Sequence, residues 1–292
     1  MRHFSRASFI STLSLLLGLF SLWLPTSASA KGVEMHLSGP LEPGSAALLR
    51  VKNFPANSVI QATLGGILFP ITDEGVGLVA VDMEAKPGPL TLRVTVDPPQ
   101  GRRTTLEQTI QLPSRQYKEE RIDGLPGKKV DLNKPDLTRA GKETAAIRAT
   151  YKRRGGMPGY GDGFVKPVEG RLSGVFGSRR ILNGKPRKPH SGIDIAAPKG
   201  TPVRSTASGK VALVGNDYFF TGNTVIVDHG DGVISLYSHM DSIAVSEGMW
   251  VAKGSTIGTV GMTGRATGPH LHFAVLVRKA RVDPLLLPGI RE

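Results

Sequence analysis

Short stretches in which apolar and polar residues alternate, separated by turns, run through most of the chain. The clearest is PLTLRVTVD, where Leu90, Leu92, Val94 and Val96 alternate with Thr91, Arg93, Thr95 and Asp97. A period of two is the pattern of a strand with one buried face. AALLRVK, SVIQATL, GLVAVDM and TLEQTIQL read the same way, with turn residues between most of them. Roughly five to seven such strands in about 80 residues predict a small antiparallel β-sandwich over residues 31–113. From residue 164 to 292 the pattern is again β and rich in Gly. The candidate strands there are GRLSGVFG, GIDIAA, GKVALVG, NTVIVDHG, GVISLYSHM, STIGTVG and HLHFAVLV, which leave hardly any room for a helix. WVAKGSTIGTVG reads as a tight hairpin turning back over a sheet. The fold class is mainly β, in two parts.

The segment between them, residues 114–163, is polar and basic with few large apolar residues. It predicts one helix near Asp136 to Arg153, capped by Asp136. GGMPGYGDG, residues 155–163, then reads as a flexible joint. This part is expected to be a basic, partly helical linker.

The first thirty residues follow a different rule. Arg2 and Arg6 precede a run rich in Leu, Ile, Phe and Trp that ends at Leu24, and Ala28-Ser29-Ala30 closes it. A basic head, an apolar middle and a small-residue exit mark a secretory signal peptide over residues 1–30. No other segment is apolar enough over sufficient length to cross a membrane, so the mature chain is expected to have no membrane span. Export to the periplasm or cell envelope is the implied localisation.

Composition sharpens this picture in two ways. Cys is absent, which excludes disulfides and Cys-based zinc sites and leaves stability to the apolar cores. Charge is unevenly spread: residues 31–113 carry 7 Lys+Arg against 8 Asp+Glu, residues 114–163 carry 12 against 7, and residues 164–292 carry 16 against 9. An exported chain meets little nucleic acid, so none is expected as a partner. The basic surface is read as facing an anionic wall or membrane.

The candidate chemistry lies in the seven histidines. His3 falls in the signal peptide, His36 reads as a surface strand residue and His229 as a turn or packing residue. The rest gather in HSGID (His190 to Asp194), YSHM (His239) and HLHF (His270 and His272). Along a strand, His270 and His272 point to one side while Leu271, Phe273 and Val275 point to the other. The spacing of four between His190 and Asp194 puts these two on one face of an extended segment as well. Two histidines and a carboxylate are a familiar zinc set, with the fourth tetrahedral position left for water. No HExxH helix supplies a glutamate base, so imidazole is the candidate for proton transfer.

HSGIDIAAPKGTPV, GNTVIVDHGDGVISLYSHM, VAKGSTIGTVGMTGRATGPHLHF and the preceding GRLSGVFGSRR resemble the lysostaphin/LytM-type zinc endopeptidases, the M23 family, over about residues 164–288. The resemblance implies an antiparallel β-sheet peptidase domain at 164–292. It implies zinc as cofactor, held by His190, Asp194 and His272, with His239 and His270 as catalytic residues. It implies peptidoglycan as substrate, cleaved at a peptide bond of the stem or cross-link by water activated on zinc. An acidic residue frequent after HLHF in the family is replaced by Ala274. No substrate-binding residue is assigned, although the basic loop Ser178 to Pro189 runs directly into His190 and is a candidate contact for stem-peptide carboxylates. The alternative within the family is a non-catalytic regulator of cell-wall amidases, and a wall-binding module is a third reading that would leave the His/Asp set unexplained.

Overall fold

Eight strands build the first part: β1 (Ser29–Ala30), β2 (Val33–Leu37), β3 (Ala46–Lys52), β4 (Val59–Leu64), β5 (Ile67–Pro70), β6 (Val76–Ala80), β7 (Gly88–Asp97) and β8 (Thr104–Leu112). They form two antiparallel sheets, in the orders β1-β2-β3-β6 and β5-β4-β7-β8. The computed structural model describes residues 29–30, 32–123, 133–154 and 156–290. Apart from Ser29 and Ala30, the segment read as a signal peptide lies outside them. The alternation of β7 is used as its pattern requires. Leu92, Val94 and Val96 are fully buried against Ala62, Leu64 and Leu106, and Arg93 stays outside, paired with Glu107. His36 lies exposed on β2.

The linker region contributes β9 (Glu119–Ile122) and a helix, α1 (Lys134–Thr150). The helix begins earlier than expected. Asn133 is its cap, its side-chain oxygen accepting from the Asp136 N–H at 2.9 Å, so Asp136 sits in the first turn. There its charge favours the helix N-terminus.

The second part holds β10 (Arg171–Gly174), β11 (Arg179–Leu182), β12 (Lys185–Pro186), β13 (Ile193–Ala196), β14 (Pro202–Arg204), β15 (Gly209–Tyr218), β16 (Gly222–Asp228), β17 (Val233–Ile243), β18 (Trp250–Val251), β19 (Thr256–Val260), β20 (His270–Val277) and β21 (Ala280–Val282). Most join one antiparallel sheet in the order β10-β13-β20-β17-β16-β15-β18, with β21 beside β20. The segment WVAKGSTIGTVG is not a hairpin. β18 pairs with β15, whereas β19 pairs with β14 and β17. The turn between them is held by another loop, since Gly254 N–H bonds Ser205 O at 2.8 Å and Lys253 N–H bonds Ser208 Oγ at 3.0 Å. That anchor sends the two strands to different partners.

The two faces of this sheet have different cover. One face, with Tyr237, Phe273, Ile193 and Val225, lies in a core continuous with that of the sandwich. On the other, Ala146, Ile147 and Tyr151 from α1 and its end pack on Ile226, Ile234, Leu236 and Ala274. Residues 156–163 are also packed, unlike a free joint. Tyr160 is 1% exposed and donates to Asp231 Oδ2 at 2.8 Å. Gly159 fits so closely that a Cβ there would lie 2.0 Å from Ser208 O.

His229 shows what such packing does to a titratable group. It is fully buried, donating from Nδ1 to Ser208 O at 2.8 Å, with Nε2 at 2.7 Å from Ser235 Oγ. Burial pushes its pKa down to about 4. A histidine in the unfolded chain titrates near 6.5, so between these values the unfolded state takes up the proton first. The stabilisation is therefore complete above pH 6.5 and is lost as pH falls toward 4, by about 3 kcal/mol. Urea midpoints measured from pH 7 to pH 4 should fall steeply in the wild type and less so in His229→Gln. Parallel slopes for the two would contradict a neutral, buried His229.

Candidate metal centre

β20 delivers the central residues. Leu271, Phe273, Val275 and Val277 are fully buried in the core, which turns His270 and His272 to the opposite face. β13 pairs antiparallel with β20 and sets Asp194 directly opposite His272, while Ile193 and Ile195 enter the core. His190 precedes β13. The chain bends at Gly192, and this bend, in place of a continuous strand, brings the His190 ring back over Asp194.

Three atoms converge as a result. His190 Nε2 lies 3.0 Å from His272 Nδ1 and 3.1 Å from Asp194 Oδ1, and His272 Nδ1 lies 2.9 Å from Asp194 Oδ1. The His190 Nδ1–H donates to Val175 O at 3.0 Å, so Nε2 of the neutral ring carries a lone pair. Atoms of this kind come this close around a shared proton or a cation. Burial alone would raise the Asp194 carboxyl. Its close contacts with the His190 and His272 rings outweigh this and hold the group well below the usual carboxylate range. Two imidazoles and one carboxylate suit zinc, and tetrahedral bonds of about 2.0–2.1 Å would space the donors roughly 3.3 Å apart. The donor set fits that ion, and His190, Asp194 and His272 are the group among the described residues able to hold one.

A second pair lies alongside. The His239 ring centroid is 4.7 Å from that of His270 and 6.2 Å from that of His272. A strict alternation along β17 would put His239 on the core side with Tyr237. Instead the register shifts opposite Asn223 and Val225, and His239 takes φ +63° while its N–H bonds Thr221 O at 2.8 Å. Tyr237 and Met240 both stay in the core, and His239 is released toward the site. Such a backbone costs about 1–3 kcal/mol and is the kind of strain found at functional positions. His239 Nδ1–H donates to Thr263 O and His270 Nδ1–H to Gly268 O, each at 2.8 Å, leaving both Nε2 atoms as acceptors. Burial, reinforced by the neighbouring His272 and His270, pulls His239 down to about 3, so it is neutral at pH 7.

All five residues singled out in the sequence are therefore brought together. What the sequence reading missed are the carbonyls of Val175, Thr263 and Gly268, which orient three of the rings and carry no side-chain signal. The basic loop forms the hairpin β11–β12, with β9 of the linker added in parallel along β11. Lys185, Arg187 and Lys188 are exposed on it. A cavity of about 670 Å³ separates α1 from Arg187 and Phe220. Arg187 lies three residues before His190, and Phe220 adjoins Thr221, the acceptor for the His239 N–H.

The model of peptidase family M23 matches residues 188–284. A solved structure of a putative M23 peptidase from Pseudomonas aeruginosa is 32% identical, with a TM-score of 0.62, and the match covers 85% of this chain and 95% of that one. Peptidoglycan DD-endopeptidase ShyB of Vibrio cholerae is 45% identical over 97 residues, which are 33% of this chain and 22% of the relative. DD-carboxypeptidase/endopeptidase Mpg of Neisseria meningitidis is 42% identical over 115 residues, 39% of this chain and 26% of the relative. The matched region thus spans about a quarter of the length of these curated relatives.

Proposed function

This chain belongs to peptidase family M23, and from that membership we propose that it is a zinc-dependent endopeptidase acting on peptide bonds in the stem peptides or cross-links of peptidoglycan. The observation that carries the proposal is the convergence of His190 Nε2, Asp194 Oδ1 and His272 Nδ1 beside the His239–His270 pair. His190, Asp194 and His272 would hold the ion. When bound there, zinc supplies a Lewis acid that polarises a carbonyl and lowers the pKa of water to about 7. The chain's own residues do the rest. His239 and His270 each have Nδ1–H tied to a carbonyl, so each ring is fixed and offers Nε2 to orient the attacking water, with one of the two accepting its proton. Returning that proton to the departing amine completes the hydrolysis.

The cavity beside α1 supports the substrate class. Its lining includes Arg148, Lys152 and Arg187 with no Asp or Glu, a setting suited to peptides that bear free carboxylates. The relative ShyB is named a peptidoglycan DD-endopeptidase, and the same bond class is the first to test here. Export to the envelope, where that polymer lies, fits the basic and apolar N-terminus. A regulator of amidases without activity of its own would need neither the complete donor set nor the strained His239.

Purified cross-linked muropeptide dimers, incubated with the full mature chain and analysed by mass spectrometry, test the reading. The expected products are two monomers whose summed mass exceeds that of the dimer by one water. Intact dimer at every enzyme concentration would overturn it, and the product masses identify the bond.

A further inference from the structure

We infer that Tyr117, which lies outside the peptidase sheet, is a positioning residue for the metal ligand His190. The inference rests on the zinc reading above. His190 is held at three points by residues 175–178. Its N–H bonds Ser178 O at 2.9 Å, its carbonyl accepts from Gly177 N–H at 2.8 Å, and its Nδ1–H reaches Val175 O at 3.0 Å. The orientation of the ring therefore follows the position of this short segment, which links β10 to β11 without belonging to either.

Tyr117 backs the segment from the far side. Gly177 has φ +77°, and a Cβ there would lie 1.9 Å from Cδ1 and 2.3 Å from Cε1 of Tyr117, so the ring rests flush on its backbone. The buried Phe176 meets the same ring edge-on, with centroids 6.1 Å apart. Tyr117 is itself held by the sandwich. Its hydroxyl donates to Met83 O at 3.0 Å, with Pro43 O at 3.4 Å. The Arg115 guanidinium lies 5.3 Å from its ring centroid and bonds Pro43 O and Asp283 Oδ2. Next along the chain, Lys118 O accepts the Arg179 N–H at 2.8 Å, which begins the β9–β11 pairing. Sandwich, Tyr117, residues 175–178 and His190 form one contiguous packed path. The sandwich is thus part of what holds the metal ligand in place. Losing a partner that orients a ligand typically costs 10–100-fold in metal affinity. Tyr117 acts one step behind such a partner, so the lower end of that range is expected.

The test uses the full mature chain and competition with a chelator for zinc. Tyr117→Ala should raise the dissociation constant about tenfold, while Tyr117→Phe, which keeps the flat ring, should stay near wild type. Tyr117→Leu should give the same loss in smaller measure if the alanine variant does not fold. Arg281→Ala is the control for general destabilisation, because it breaks contacts to Asp82 and Glu84 across the same boundary without touching residues 175–178. It should lower the unfolding temperature and leave zinc affinity unchanged. Hydrogen exchange on metal-free protein provides a readout that needs no zinc: the His190 and Gly177 amides should exchange faster in Tyr117→Ala than in Arg281→Ala. Unchanged affinity and exchange in folded Tyr117→Ala, or equal losses in Arg281→Ala, would overturn the inference. Failure of the wild type to bind zinc would instead count against the proposed function, and the exchange comparison would still decide the coupling.

Discussion

His272→Ala and His270→Ala should fail in different ways, although the two residues stand one apart on the same strand face. His272 contributes one of three converging donors, and its removal leaves His190 and Asp194 alone. Zinc content and activity should then fall together, with partial recovery in excess metal. His270 Nδ1 is tied to Gly268 O, and the residue takes no part in the close donor contacts. In His270→Ala, bound zinc should stay near one per chain while turnover drops by about 10²–10⁴, the usual range for a lost acid–base group. Added zinc should not restore it. Metal analysis alongside turnover decides the matter. Loss of zinc from His270→Ala with retention in His272→Ala would reverse the ligand assignment, and full activity in both would remove the site from this strand.

A fragment beginning at Phe164, the boundary that composition suggests, should not fold cooperatively, whereas one beginning at Asn133 should. Starting at Phe164 removes Tyr160, which is 1% exposed, and with it the bond to Asp231. It also strips Ala146, Ile147 and Tyr151 from the sheet face they cover, exposing Ile226, Leu236 and Ala274. A buried aromatic side chain lost outright costs about 3–5 kcal/mol. The loss of Tyr160 alone comes near the lower end of an ordinary domain's stability, about 5–15 kcal/mol, and losing the half-buried Tyr151 adds to it. The Asn133 fragment keeps both aromatics and the cap of α1. Thermal unfolding followed by near-ultraviolet circular dichroism should show a sharp transition for the longer fragment and none for the shorter. Matching transitions would mean that the packed segment 156–163 and the helix contribute little.

These two cases show where the sequence was informative. HLHFAVLV coincides with β20 because its alternation is complete and its buried face is uniformly apolar. That Asp194 and His272 share a site was expected from two short patterns, although the first is bent at Gly192 and is not one continuous strand. Long-range choices left weaker traces. Nothing local in WVAKGSTIGTVG reveals that the 205–208 loop anchors its turn and separates the two strands. The Gly-rich run before Phe164 has the composition of a free joint, yet Gly159 is small because Ser208 presses against it. His239 reaches the site through a register shift that alternation alone would have placed elsewhere. The composition of α1 gave a helix, and its Ala-rich contact surface did not disclose that it would share a sheet face with the donor set. Backbone carbonyls, which fix the rings of His190, His239 and His270, are supplied by residues of any type.

The most direct measurement of the central claim is a zinc titration of the metal-stripped full chain on purified sacculi, with release of cleaved muropeptides followed as a rate. The account predicts no release without metal, a linear rise on adding zinc, and a break at one zinc per chain. Cleavage that proceeds unchanged after chelation, or no cleavage at any zinc level by a folded chain that binds the ion, would contradict it.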